Sequence, residues 1–439
     1  MADTFCPIPW NFQAIRSNGD VRLCCQANIS QDQGVLRRDD GTTYNAKDGR
    51  LDLSRNSALI KRVRTNMLAN QWDPSCMRCQ QEEASQLSSR RKYELEQWSL
   101  RKKDALLYTE ADGTINKAMF PVEYYDLRFG NLCNLKCRMC GPADSSAWYE
   151  DWVALTGSHE FKDTSGKVTI KEKDGKLYTD DYSWPQSDIF WKDIEKRLDS
   201  VKHIYMAGGE PLLIKKHYDF LEKCIAQKVS SQIVLEYNTN VTQVPDKALS
   251  LWQHFKQVRI GASIDGYGSF AEYQRYPCRW PQIYENLKIL NDQPLNIFVW
   301  IAYTVTAYNV FHLVDFIKWK LTCEDLRNIN RTERRPIITP HMAHHPKHLN
   351  IRVLPSALKQ DLKQEFVKLN LWIKSQGYSA AVCKQGMMIT SSIEEYMLSQ
   401  DYNEKHWGTF CSYTRRLDEI RGQNILDLVP KFSNYMGYV

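Results

Sequence analysis

No stretch of the 439-residue chain is apolar for long enough to cross a bilayer. The amino terminus lacks the basic-then-apolar pattern of a secretory leader, and a cysteine stands already at position 6. A membrane partner is therefore not expected. Charge of one sign is not in excess: 58 Lys and Arg against 52 Asp and Glu leave a net +6. So mild a balance does not by itself imply a nucleic-acid partner, and none is expected. Internal repeats are absent, and so is the pattern of a disulfide framework. The 13 cysteines are odd in number and gathered at short spacings. That argues for a reducing interior, hence a cytoplasmic and oxygen-sensitive protein.

What is present is ordinary in bulk. A hydrophobic fraction of 43% with 25% charged residues suits a globular chain with room for two or three domains. The 13 Trp and 23 Tyr favour large aromatic-lined surfaces without identifying a ligand. The information lies in the cysteines. Cys133-Asn134-Leu135-Lys136-Cys137-Arg138-Met139-Cys140 places three thiolates on one tight loop. A cubane iron–sulfur cluster needs four ligands, and electron carriers close all four with cysteine. Three cysteines leave one iron open to chelate a small molecule; the spacing resembles the signature of the radical S-adenosylmethionine (SAM) superfamily, which implies that this ligand is SAM, bound through its amino and carboxylate groups. Zinc is the alternative, but it usually takes four protein ligands in paired knuckles.

Residues 122–129 alternate and are rich in strand formers, so a strand runs straight into the cysteine loop. Residues 145–155 read as a helix with Asp144 at its N-cap. A loop between the first strand and first helix of a β/α barrel sits at the mouth where such barrels do chemistry. Further on, residues 203–211 end another strand in Gly208-Gly209-Glu210-Pro211. The glycines allow close backbone approach and the proline fixes the turn. Together the C-x3-C-x2-C loop and this GGEP run resemble the radical SAM superfamily. The resemblance implies a partial (β/α)6 TIM-like barrel, a SAM-binding [4Fe-4S] cluster on Cys133, Cys137 and Cys140, and a GGEP turn that holds the SAM ammonium. It also implies an external one-electron reductant of the flavodoxin or ferredoxin type.

Two more strand ends fit the same cofactor by that resemblance. Asn238, Thr239 and Asn240 fall near the methionine or ribose of SAM. Ser263 and Asp265 look like ribose or carboxylate contacts after the fourth strand. All are also ordinary turn residues. Residues 297–306 read as the fifth strand, with Val305 near the adenine or simply in the core.

The amino-terminal cysteines form a second constellation: Cys6, Cys24-Cys25, then Cys76-Met77-Arg78-Cys79. Asn18-Gly19-Asp20 is a hairpin turn that folds residues 14–16 onto 21–23 and brings Cys24 towards Cys6. Helical periodicity over 50–70 carries Cys76 and Cys79 back to the hairpin base. The Cys6-x12-Gly19-x4-Cys24 opening resembles that of SPASM and twitch domains, which implies an auxiliary [4Fe-4S] cluster on Cys6, Cys24, Cys76 and Cys79, with Cys25 spare. A four-cysteine zinc knuckle fits the same pattern. In familiar enzymes of this class the auxiliary domain follows the barrel, whereas here it precedes it.

The expected organisation is a SPASM/twitch-like domain over 1–85, a charged linker over 86–120, the barrel over 121–355 and a helical region over 356–439 packing on it. An insertion at 157–187 carries a hairpin about Asp174-Gly175. Helices are expected at 189–199, 214–228, 281–291, 309–321 and 356–376, and a sixth strand at 349–354. His341, His344, His345 and His348 crowd together without an acidic partner, and 327–336 is a basic loop read as a solvated connection. The resemblance implies cleavage of SAM to a 5′-deoxyadenosyl radical that abstracts hydrogen, first choice from a peptide or protein. A dehydrogenase of a small alcohol or amino-cyclitol is the alternative, and a non-catalytic cluster scaffold the alternative of another class. Cys278 reads as a hydrogen donor or as an ordinary buried thiol.

Overall fold

The computed structural model describes all residues except 1–2, 28–33, 85–88, 164–165, 295, 331–335 and 438–439. The middle of the basic loop at 327–336 thus lies outside the described residues. The chain divides into two compact units. One comprises Met1–Leu132, Glu160–Tyr237 and Lys247–Val258, the other Cys133–His159, Asn238–Asp246 and Arg259–Val439.

In the first unit, β1 (Phe12–Ile15) and β2 (Val21–Arg22) form the expected hairpin, Ala14 opposite Arg22 and Ile15 opposite Val21. Gly19 sits at its tip with φ +90°, a backbone that glycine adopts without strain. On its other side β1 runs parallel to β3 (Tyr124–Phe129), Phe12 in register with Tyr124. The cysteine-bearing hairpin is therefore continuous with the sheet. Tyr125, Leu127 and Phe129 are buried on one face of β3, where Phe129 meets Trp184 and Trp191. Each such large side chain contributes roughly 1.5–3 kcal/mol of burial. Asp126 and Arg128 alternate to the other face, as a period of two requires.

Two small hairpins follow in the expected insertion, β4 (Glu160–Asp163) with β5 (Gly166–Thr169) and β6 (Lys171–Lys173) with β7 (Lys176–Tyr178). β8 (His203–Gly208) then pairs parallel with β3, and β9 (Val234–Thr239) parallel with β8, its last two residues belonging to the other unit. The helix between them, Lys215–Ala226, lies within the expected 214–228. The charged stretch 86–120 is not bare chain. It holds helices Arg90–Gln97 and Lys102–Tyr108, and Arg91 grips Glu83.

In the second unit, β10 (Gln257–Ser263, entering at Arg259) lies beside β11 (Ile297–Val305), and β11 runs parallel to β12 (Thr339–Met342). The sixth strand is thus 339–342 and not 349–354. The apolar run at 349–354 is buried, but its backbone is wound into two short turns because Asn350 caps the Arg352 N–H at 3.0 Å. Helices Ser356–Ser375, Ala380–Leu398 and Asn403–Arg421 complete this unit. Parallel strands joined through helices make the chain α/β, the class expected for a partial TIM-like barrel. Among the described residues, no helix is long and apolar enough to cross a membrane.

Candidate active site

The cysteine loop opens the second unit and is tied down along its length. Lys136 N–H donates to the Tyr276 carbonyl (2.8 Å) and Arg138 N–H to that of Gln274 (2.9 Å). The indole of Trp148 donates to the Cys137 carbonyl at 2.9 Å, and Ser145 Oγ to that of Leu135 at 2.5 Å. These bonds shift the following helix to Trp148–Thr156. Asp144 does not cap it, as expected from the sequence, but accepts from Gly141 N–H one turn earlier.

Charged side chains anchor the loop from below. Arg138, wholly buried, pairs with Asp418 and bonds Gln423 (2.8 Å) and the Tyr273 carbonyl (3.2 Å). Lys136 and Arg421 share Asp151, at 2.6 and 2.7 Å. The helix Asn403–Arg421 therefore acts as a brace for three thiols that lie 280 residues away in the case of Arg138 and Asp418.

Donors surround the sulfurs. Leu135 N–H points to Cys133 Sγ at 3.5 Å, Asn240 Nδ2 to the same sulfur at 3.8 Å, and Arg275 Nη1 to Cys137 Sγ at 3.8 Å. Such donors suit thiolates and tune the potential of a cluster. The Cys137 thiol is held below its ordinary range by the hydrogen bond from Cys140 and, against burial, by Arg275. Cys140, the donor of that pair, is pushed up by it and by burial. This asymmetry is what two neighbouring thiols show before a metal removes both protons.

The cofactor residues named from the sequence divide into two kinds. Asn240 accepts from Thr242 N–H (2.9 Å) and bonds Asn134 (3.0 Å), so its side chain is spent on fixing the loop. Asp265 is fully buried, accepts from Thr304 N–H and pairs with Arg275 at 2.6 Å. Burial raises its carboxyl above the usual range despite those partners. Asp265 thus orients the guanidinium that reaches Cys137. Asn238 and Ser263 are half-buried, and Gly261 leaves room for Asn238, whose Oδ1 would lie 2.9 Å from any Cβ placed there.

The GGEP turn belongs to the first unit. Gly209 N–H donates to the Gly130 carbonyl (3.1 Å) and Glu210 N–H to that of Leu132 (2.8 Å), the residue that precedes Cys133 in the chain. A Cβ on Gly208 would stand 2.6 Å from the Phe129 nitrogen, and one on Gly209 2.3 Å from the Leu132 oxygen. The glycines are needed for this backbone-to-backbone contact. Glu210, 1% exposed, caps the turn Pro211–Leu213 by accepting from Leu212 N–H at 3.1 Å.

Cys6, Cys24, Cys76 and Cys79 also lie in the first unit and line one cavity with Trp72, Met67 and Leu23. Burial pushes all four thiols up, Cys24 to about 12, and neighbouring thiols add to the rise at Cys6, Cys24 and Cys76. Among the described residues no three Cys, His, Asp or Glu side chains converge closely enough for a single metal ion. The four thiols enclose a space instead of a point. Cys25 faces elsewhere, as taken up below.

Of the remaining candidates, Cys278 is buried, donates to the Ala271 carbonyl and is raised to about 12 by burial. Val305 is buried in the core, and among the described residues the histidines of 341–348 gather no metal set. Sequence reasoning missed Arg275, Arg138 and Asp418. Arg138 stands inside the cysteine spacing, where a cation reads as a solvated loop residue, and its partner is remote in the chain.

Residues 127–319 match the family model described as the Radical SAM superfamily. Over that stretch the chain is similar to the radical SAM superfamily. Among solved structures, native anSMEcpe with bound AdoMet is 15% identical, covering 58% of this chain and 61% of its own, with a TM-score of 0.34. Streptococcus suis SuiB bound to precursor peptide SuiA is 14% identical over 57% of this chain and 52% of its own, TM-score 0.29. TYW1 with a lysine-pyruvate adduct bound is 14% identical over 58% of this chain and 71% of its own, TM-score 0.28. The chain thus spans about three fifths of the first of these structures and about half of the second. At such identities and scores no conclusion about this chain rests on these likenesses. No curated protein matches the chain.

Proposed function

We propose that this protein binds SAM at a [4Fe-4S] cluster held by Cys133, Cys137 and Cys140 and uses it to abstract hydrogen from a substrate, a peptide or protein by first choice. The observation that carries the reading is the loop itself. Three thiols share one braced loop, and N–H donors from Leu135, Asn240 and Arg275 are aimed at the sulfurs of Cys133 and Cys137. That donor set fits a thiolate-ligated cluster. When bound and reduced, the cluster supplies the electron that splits the C5′–S bond of SAM to give the 5′-deoxyadenosyl radical.

The chain's own residues hold and orient. By the family resemblance Gly208, Gly209, Glu210 and Pro211 are assigned to the SAM ammonium, and Asn238 and Ser263 to the rest of the cofactor. Asn240 and Asp265 act one step back, through Cys133 and Arg275. The four-thiol cavity of Cys6, Cys24, Cys76 and Cys79 suits an auxiliary [4Fe-4S] cluster better than zinc. A zinc ion draws four sulfurs to about 2.3 Å from one point, whereas a cubane holds its ligands apart. The reductant is an external one-electron carrier and the setting cytoplasmic.

Anaerobic reconstitution with iron and sulfide tests this. About eight irons per chain, two cubanes' worth, and 5′-deoxyadenosine formed from SAM under dithionite are expected. Cys133→Ala, Cys137→Ala or Cys140→Ala should each abolish that product while the auxiliary iron remains. Two tightly held zincs and no cleavage would establish a metal scaffold instead.

A further inference from the structure

Cys24 and Cys25 are neighbours in the chain but open onto different cavities of the first unit. Cys24 lines the four-thiol space. Cys25 lines a separate cleft of about 540 Å³ with Ala14, Ile15, Arg16, Ser17, Arg22, Asp126 and Arg128. The walls of this cleft come from β1, β2 and the face of β3 that is turned away from the Trp184–Trp191 core. Among the described residues that line it, three are arginines and Asp126 is the one carboxylate.

The charges do not balance. Arg128 bonds Asp126 through Nε at 3.2 Å and lies over the Tyr205 ring at 5.1 Å, which fixes its plane. Its side chain lines the cleft and is 38% exposed. Arg22 makes one long bond, Nη2 to the Ala27 carbonyl at 3.4 Å, and its Nε is buried without a hydrogen-bond partner. Even with Arg16 set aside, two permanently charged guanidinium groups share one carboxylate, and one donor is unmet. Guanidinium forks match carboxylate and phosphate oxygens in geometry, and a buried unmet donor is costly unless a ligand meets it.

We propose that this cleft is the recognition pocket for an oxyanion on the substrate, a carboxylate or a phosphate, gripped by Arg22 and Arg128 one residue away from the auxiliary thiol cavity. Asp126 holds the Arg128 plane, and the anion completes the coordination of Arg22. That the anion belongs to the substrate rests on the radical chemistry proposed above, but its binding does not require that chemistry.

The test is calorimetric titration of the anaerobically iron-loaded chain with inorganic phosphate and, separately, with glutarate, in the absence of SAM and reductant. Saturable binding of either probe is expected. Preference for phosphate would indicate a phosphorylated substrate, and preference for glutarate an acidic peptide or metabolite. Arg22→Gln and Arg128→Gln should each weaken binding by roughly 10- to 100-fold, while Arg22→Lys falls between and Lys103→Gln, exposed and distant in sequence, changes nothing. Circular dichroism and iron content separate these effects from misfolding. No saturable binding of either anion, or binding that both Gln variants leave intact, overturns the proposal. Binding without any SAM cleavage would instead sink the radical assignment and leave the pocket standing.

Discussion

Replacing Arg138 by methionine tests whether the cysteine loop is held by its brace or only by its own turns. The guanidinium is wholly buried, lies 3.6 Å over the Tyr273 ring, and bonds Asp418, Gln423 and the Tyr273 carbonyl. Methionine fills much of the volume but removes the charge. Asp418 is then left 5% exposed with two donors, Tyr273 OH at 3.0 Å and Ile425 N–H at 2.9 Å, and no cation. Removing one member of a buried pair typically costs about 3–5 kcal/mol, because the remaining charge stays desolvated. That is more than a hundredfold in the folding equilibrium, at about 1.4 kcal/mol per factor of ten. Urea unfolding under anaerobic conditions reads the loss, and iron content reads its effect on the loop. The double variant Arg138→Met with Asp418→Leu should recover most of it, since apolar replacement of both partners is close to neutral. A cost below about 1 kcal/mol for the single change, with full iron loading, would refute the brace.

Three further outcomes are expected. Gly209→Ala drives a methyl group to 2.3 Å from the Leu132 oxygen, so backbone must move; a loss of roughly 1–3 kcal/mol in stability together with weaker SAM binding is expected, and a wild-type melt would contradict the contact. Cys24→Ala should cost the auxiliary metal while Cys25→Ala keeps it, because only Cys24 lines the four-thiol cavity; equal iron loss in both by elemental analysis would contradict this division. His217 is fully buried, and burial lowers its pKa to about 4, its Nδ1 bonded to the Ile214 carbonyl. Its unfolded value near 6.5 is higher, so the unfolded chain binds the extra proton and stability falls as pH drops from about 6.5 towards 4, by up to about 3 kcal/mol. His217→Phe should flatten that slope in urea unfolding across the same range, and an unchanged slope would assign it to other groups.

Legibility from sequence followed the range of the interaction. The hairpin about Gly19, the strand entering Cys133, the strand ending in Gly208 and the helix at Lys215–Ala226 each rest on residues adjacent in the chain, and each stands where the pattern put it. The sixth strand did not. Thr339–Met342 contains Pro340, which cannot donate to a ladder and so reads as a breaker. It is tolerated because, among the described residues, β12 pairs only with β11, at the edge of the sheet. The apolar run at 349–354 looked better as a strand, yet Asn350 turned its backbone. Asp144 was read as a cap for the helix after it and instead serves the turn before it.

The site divides in the same way. Spacing alone marks Cys133, Cys137 and Cys140, because it sets three thiols close together on one small loop. Spacing cannot say what keeps those thiols in place. Arg138 meets Asp418, and Arg275 reaches Cys137, only after the second unit has folded. The Cys24–Cys25 pair makes the limit sharpest. As letters the two thiols are adjacent and alike, and only the resemblance of the Cys6-x12-Gly19-x4-Cys24 opening ranked Cys24 above Cys25. The hairpin turns one towards Cys6, Cys76 and Cys79 and the other towards Arg22 and Arg128. Two identical side chains thereby acquire different chemistry from the direction of one backbone step. The Cys24→Ala and Cys25→Ala comparison measures that step directly, since composition and charge are the same in both variants and the cavity that loses a thiol differs.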